Sequence, residues 1–478
     1  MMRAADEDRD MTEKLGTGFL LFVGGLGGLL YGIDFGVIAV SMPYIKALKI
    51  YTDAEVSWIV GAVMFGGILA SATAGVLCDR LGRKRMISCA SALFLVAVPV
   101  VCFSGESLAV MLTGRVLQGM SAGYMAVVMP MYLAETLPAE IRGRGTGIFQ
   151  LFLGMGLVSA ATAGIVIAAI YGAADAAADV VSNEAKSIAW RVNFWWSVAP
   201  VSLLFVSSLF LKESPVWLKM GGCAKDEEAE AGVVREGGTL LRRKYVIPFL
   251  LAVLVLTFNK TIGMGSIVAY AVTLFQKAGL SGSLGNVGDL ALKVTNLVMT
   301  LIAVALVDRK GRTWLLKVGT AGLSAGLFAI GALFLSIEKG WLAPTPATGF
   351  VTLAAFLAMQ TFYSLGPGIC VWLVLSELMP ARIRANGMAV ALFVNQFVAW
   401  GLASTFFPMV NAWGYGPVFF GSAVTGIFYF ITVLFIPETK GRSLEEIESL
   451  FDSGVMGRNG FNPQSTSRHS SLGSSLPK

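Results

Sequence analysis

Apolar runs, each long enough to cross a bilayer, follow one another along this 478-residue chain and are separated by short charged knots. A spanning helix needs about 20 predominantly apolar residues. By that measure the pattern predicts about twelve helices, at roughly 16–42, 56–77, 86–104, 107–133, 145–171, 190–211, 245–275, 289–307, 314–336, 348–376, 386–411 and 414–436. The expected fold class is therefore all-α and membrane-spanning, with two six-helix bundles. The predicted division is a charged N-terminal tail (1–14), a first bundle (15–212), a polar central loop (213–244), a second bundle (245–451) and a disordered Ser/Gly/Asn-rich tail (452–478). The tail 1–14 lacks the apolar region and small-residue cleavage site of a signal peptide, so the first span is expected to be retained.

Composition narrows the picture. Hydrophobic residues make up 55% of the chain and charged residues only 14%, against roughly 25% charged in soluble domains, and mean hydropathy is +0.72. A soluble fold of this size has no charged exterior to draw on here. The 55 glycines suit close helix–helix approach in a membrane, as in Gly24-Gly25-Leu26-Gly27-Gly28. With the N-terminus placed inside, 27 of the 36 Lys and Arg fall in inside segments, 7 outside and 2, Arg115 and Lys260, within spans. That asymmetry predicts that both termini face the cytoplasm of a cell (plasma or bacterial inner) membrane. It also accounts for the net charge of +6 through the bilayer surface, without nucleic acid. The five cysteines lack metal-ligand spacing and read as small apolar packers. No cofactor, no metal and no enzymatic activity are expected, since the chain lacks a nucleotide loop, a metal cluster and a nucleophile with its base. A monomer is the expected functional unit.

The charged knots repeat. Gly75 to Arg85 (GVLCDRLGRKR) and then Pro130 to Gly145 (PMYLAETLPAEIRGRG) recur as Ala305 to Leu316 (ALVDRKGRTWLL) and Trp372 to Gly387 (WLVLSELMPARIRANG). Duplication inside a hydrophobic chain marks a transporter whose substrate site lies between the repeats near the bilayer midplane. Asp79, Arg83, Glu135 and Arg142, with Asp308, Arg312, Glu377 and Arg382, are candidate gate residues. Their ion pairs would form when one side closes and break when it opens; the alternative is a purely topogenic positive loop.

These motifs resemble the sugar porter family of the major facilitator superfamily. The resemblance runs from Gly27–Ile38 through Arg115–Gly119, Pro130–Gly145, Glu213–Leu218, Asp308–Arg312 and Gly366–Trp372 to Pro437–Arg442, nearly the whole chain. Val216 stands where the family has Arg, and the central loop is short. The resemblance implies that Gln150 and Asn296 bind sugar hydroxyls, that Trp372 forms an apolar wall with Gly368 one turn earlier, and that Gln396-Phe397 completes the site. Amides that donate and accept, beside an aromatic face, suit a polyol; each amide could instead staple helices.

The seventh span departs from the family's Gln-Gln and Gly-Ile-Asn, carrying Asn259-Lys260 and Gly263-Met264-Gly265 instead. An ammonium at the midplane costs at least ~2.5–3.5 kcal/mol unless water or a counter-charge meets it. Lys260 therefore faces an acid, faces an anionic or strongly polar substrate, or snorkels into a wet cavity. Asp34 reads as the only carboxylate deep in a span, and His469, the only histidine, lies in the tail. The resemblance makes Asp34 the proton-coupling residue and Arg115 its counter-charge; a structural ion pair that never titrates is the alternative. The expected activity is import of a monosaccharide or related polyol by proton symport. Transport of an anionic sugar derivative or organic anion, facilitative uniport, and sugar sensing without transport remain as alternatives.

Overall fold

The computed structural model describes residues 2–138, 142–176, 180–219, 243–378 and 384–440. The first half runs α1 (Met2–Ala47), α2 (Asp53–Leu81), α3 (Arg83–Cys102), α4 (Leu108–Thr136) and α5 (Arg142–Tyr171). Its sixth span is made of two pieces, α6 (Asn183–Trp196) and α7 (Val198–Leu209), and the short α8 (Pro215–Lys219) follows. In the second half α9 (Arg243–Thr261) and α10 (Met264–Ala278) share the seventh span. Next come α11 (Ser283–Lys310), α12 (Arg312–Glu338), α13 (Pro346–Leu365) with α14 (Pro367–Leu378), α15 (Arg384–Trp413) and α16 (Tyr415–Leu434). Among the described residues, twelve stretches are long and apolar enough to cross a membrane.

Local sequence explains where helices start. Thr52 accepts from the Glu55 N–H at 3.3 Å while the Thr52 N–H donates to the Glu55 carboxylate at 2.7 Å, a reciprocal capping box. Ser107, Ser182 and Thr345 cap α4, α6 and α13 in the simpler way. Three spans are interrupted where the sequence pattern predicts continuity, the sixth at Ser197 between α6 and α7. The seventh breaks at Gly263, which adopts φ +82°, a conformation that costs glycine little. The tenth breaks at Gly366, where an added Cβ would meet the Leu315 carbonyl at 2.3 Å.

Small residues let the helices of each half touch backbone to backbone. A Cβ on Gly32 of α1 would stand 2.0 Å from the Leu153 carbonyl of α5. Such contacts replace the hydrophobic drive that a bilayer does not supply.

Hydrogen bonds joining the halves gather at the end away from the two motifs. Asn411 donates to Asp53 at 3.0 Å, the Phe407 N–H to the Ser57 hydroxyl at 3.1 Å, and the Gly282 N–H to Asp175 at 2.7 Å. The Lys46 ammonium, paired with Asp53 at 2.7 Å, lies 3.8 Å from the Phe407 ring centroid. At the motif end, the described charged groups pair within their own half.

Candidate substrate and coupling site

Of the predicted substrate residues, Gln150, Asn296, Gln396 and Phe397 sit on helices that meet across the halves, whereas α9 and α14, which carry Asn259, Lys260, Gly368 and Trp372, pack chiefly within the second half. Gln150 is exposed on α5, and one turn on, Gly154 faces Leu297 of α11, the neighbour of half-buried Asn296. Gln396 of α15 approaches α2, its amide nitrogen 2.6 Å from where a Cβ on Gly67 would be. The next ring, Phe397, is 52% exposed and 5.5 Å from Trp400, whose indole lies 5.8 Å from Phe65 of α2. Trp372 on α14 is 48% exposed, so its face is open rather than packed. Asn259 is buried and donates to the Pro367 carbonyl at 3.4 Å, which brings it beside Gly368 and ties the break of the seventh span to that of the tenth. Lys260, the next residue, is half-buried and has no hydrogen bond or ion pair with a described residue. Sequence reasoning passed over Asn395, which is buried and donates to the Leu256 carbonyl at 3.1 Å.

Asp34 of α1 and Arg115 of α4 meet in the first half at 3.5 Å, with side-chain exposures of 0% and 1%. Arg115 also donates to Gln118 at 2.7 Å and lies 5.5 Å from the Phe194 ring. Neither Asp34 oxygen has a hydrogen-bond partner among the described residues. The carboxylate is thus held by charge alone, in surroundings that penalise an unmatched ion.

Asp34 is not the only deep carboxylate, which corrects the sequence reading. Asp289 on α11 is fully buried and paired with Lys293 one turn later at 2.6 Å. The hydropathy pattern set the start of this span at 289, whereas the helix begins at Ser283. Those six earlier residues carry Asp289 from the membrane edge to the interior.

Each motif forms a cluster inside its own half. Arg83 joins Glu135 at 3.1 Å and Asp79 at 3.3 Å. The Glu213 carboxylate accepts from the backbone N–H groups of Arg83 and Lys84 at 2.8 and 3.0 Å, and Ser214 donates to Glu135. In the second half Arg312 joins Glu377 at 3.3 Å. Glu438 accepts from the N–H groups of Arg312 and Thr313 at 3.0 and 3.1 Å, and Thr439 donates to Glu377 at 2.5 Å. Arg142 and Asp308 lie in helices, but their side chains are outside the described residues, as is the whole of Arg382. Glu213, Ser214, Glu438 and Thr439 were not singled out as site residues. The available signal was an acid followed by a hydroxyl after the last span of each half.

A family model described as sugar (and other) transporter matches residues 20–451. The chain belongs to that family. Among its relatives, a D-xylose transporter of Levilactobacillus brevis is 28% identical, with 91% of this chain and 96% of that one covered. A galactose-proton symporter of Escherichia coli (strain K12) is 27% identical over 91% and 95%. The crystal structure of a D-xylose-proton symporter matches with a TM-score of 0.75 at 23% identity, covering 89% of this chain and 99% of that chain. An inward-open structure of the xylose transporter from E. coli matches with 0.74 at 23% identity, covering 91% and 99%. This sugar-transporter-family chain therefore has the major facilitator fold, two six-span halves in a multi-pass membrane protein.

Proposed function

We propose that the protein imports a monosaccharide or related polyol together with a proton by alternating access. Rocking of residues 1–212 against 245–451 would expose one central site to each side in turn. The activities of the relatives, xylose transport and galactose–proton symport, support this substrate class. Gln150, Asn296 and Gln396 would hydrogen-bond hydroxyls, and Trp372 and Phe397 would cover the apolar sugar face, with Gly368 leaving room at the break. The Lys/Arg bias supports cytoplasmic termini. With that orientation the two motif clusters face the cytoplasm.

One observation carries the coupling assignment: a buried carboxylate and a buried guanidinium on different helices, 3.5 Å apart and with the acid otherwise unbonded. Burial favours the protonated acid and the nearby guanidinium favours the ionised one. The pair lies within one half, so rocking would act on it by changing how water reaches the acid and by any shift of α1 against α4 inside that half; either would link proton binding to conformation. The gate clusters around Arg83 and Arg312 would rearrange as that side opens and closes.

The test is uptake by purified protein in liposomes against a panel of labelled pentoses, hexoses and polyols, with and without an imposed pH gradient. Uphill accumulation that collapses with the gradient is expected. Equilibration without accumulation would reassign the protein as a uniporter, and binding without any uptake as a sensor.

A further inference from the structure

Among the described residues, two cations well inside spans have no acid beside them, Lys260 and Arg191. Two carboxylates lie well inside spans, Asp34 and Asp289, and each already has a partner, Arg115 and Lys293. Among the described residues, every other Asp and Glu that the spans include lies near a span end. Lys260 stands near the middle of the span Val246–Ala278, with no hydrogen bond or ion pair among the described residues. Arg191, the other interior cation without an acid, is different. Its carbonyl accepts from Cys102, the last residue of α3, which sets it level with a helix end, and its guanidinium lies 5.3 Å from the Trp190 ring.

Lys260 also stands next to two breaks in the helical backbone. It follows Asn259, whose amide ties the break at Gly263 to the break at Gly366. Irregular backbone at membrane depth is tolerated only inside protein or along a water-filled cavity, and Lys260, half-buried, is enclosed by protein rather than free at a helix end. A lone interior ammonium is expensive and is a mark of function when retained.

We propose that the natural substrate is an anionic monosaccharide, a sugar acid, whose carboxylate supplies the counter-charge that Lys260 lacks. This rests on the transport reading above and names its substrate class. Asp289 fills the corresponding role for Lys293 from within the protein; for Lys260 the acid comes with the cargo. Charge balance has a further consequence. One proton moved with one monoanion carries no net charge, so uptake follows the pH gradient and ignores membrane voltage. A neutral sugar moved with a proton would respond to both.

Proteoliposomes are loaded so that pH gradient and voltage can be set separately, and uptake of labelled D-glucuronate and D-gluconate is compared with that of D-glucose and D-xylose. The expected result is voltage-independent sugar-acid uptake, competed by unlabelled sugar acid. Lys260→Gln should lower it by about tenfold or more, the range lost with one charge-assisted contact, while Lys260→Arg keeps most of it. Neutral sugars moved while sugar acids neither move nor compete would overturn the proposal and leave the transport reading intact. Sugar-acid uptake untouched in Lys260→Gln overturns it as well. No uptake of either class overturns both. Competition in the parental protein decides the substrate class even if the variants fail to fold.

Discussion

The two halves bury their charges in different ways. In the first half the pair spans two helices, Asp34 on α1 and Arg115 on α4, separated by 3.5 Å. In the second half Asp289 and Lys293 sit one turn apart on the same helix, at 2.6 Å. An intrahelical pair travels with its helix, so its separation is indifferent to how that helix moves. An interhelical pair is a distance gauge. Coulomb energy in a poorly screened interior changes steeply with separation, so relative movement of α1 and α4 becomes a change in proton affinity. Burial alone does not make an acid a coupling residue; the element that carries its counter-charge decides.

The strongest way to break this comparison is at Asp34. Asp34→Asn should abolish accumulation, which a one-unit pH gradient can raise to about tenfold for one proton, yet keep sugar exchange across the membrane. Uphill uptake surviving in this variant would move coupling to another group, with Asp289 the first to examine. At the second pair, Asp289→Leu alone strands a buried ammonium and should cost about 3–5 kcal/mol. Adding Lys293→Met should recover most of that, as removing both members of a buried pair is often neutral. Thermal unfolding in detergent measures both, and accumulation should persist in the double variant. Its loss would show that the second pair is more than a passenger.

The motif clusters differ by smaller amounts. Arg83 is 5% exposed and Arg312 16%, so Arg83→Ala should destabilise more, by about 3 kcal/mol against about 1–2. Equal losses would mean that burial is not what separates them. The smallest effect is expected at Asp79, which is 53% exposed with a partner four residues on. An ion pair of that kind is worth about 0–1 kcal/mol. Asp79→Asn should therefore shift labelling of a cysteine in the inner vestibule only modestly, and a large shift would reveal a partner made in another conformation.

Much of this architecture could be read before the helices were placed. Twelve apolar runs and two copies of the motif pair lead directly to the fold, because the bilayer requires length and apolarity and little else. The Asp34–Arg115 contact was legible only through the family resemblance, since Lys260 was a second cation in a span that could have met Asp34. Asp289 was missed for a physical reason: Ser283, Asn286, Asp289 and Lys293 dilute the apolar signal of the first turns of α11, although the helix hides that polarity against its neighbours. The break at Gly263 was visible as glycine and silent as geometry, since a glycine in a membrane helix more often serves close packing. Contacts between halves, such as Gln396 against Gly67, depend on which end is closed. Nothing local in the sequence encodes that.

Gly82 and Gly311 open α3 and α12 with φ of +88° and +90°, and neither has a side chain to cap the helix it starts. The caps come from Glu213 and Glu438, 130 and 126 residues away from Arg83 and Arg312. A Cβ on Gly82 would collide with the Glu213 carboxylate at 2.5 Å, so the missing side chain is what admits the distant one. During synthesis the third helix must therefore wait, its first N–H groups unsatisfied, until the sixth has been made and the chain has turned back. Each half acquires its last fastening only when its end is translated, and the order of assembly is written into a glycine near its beginning.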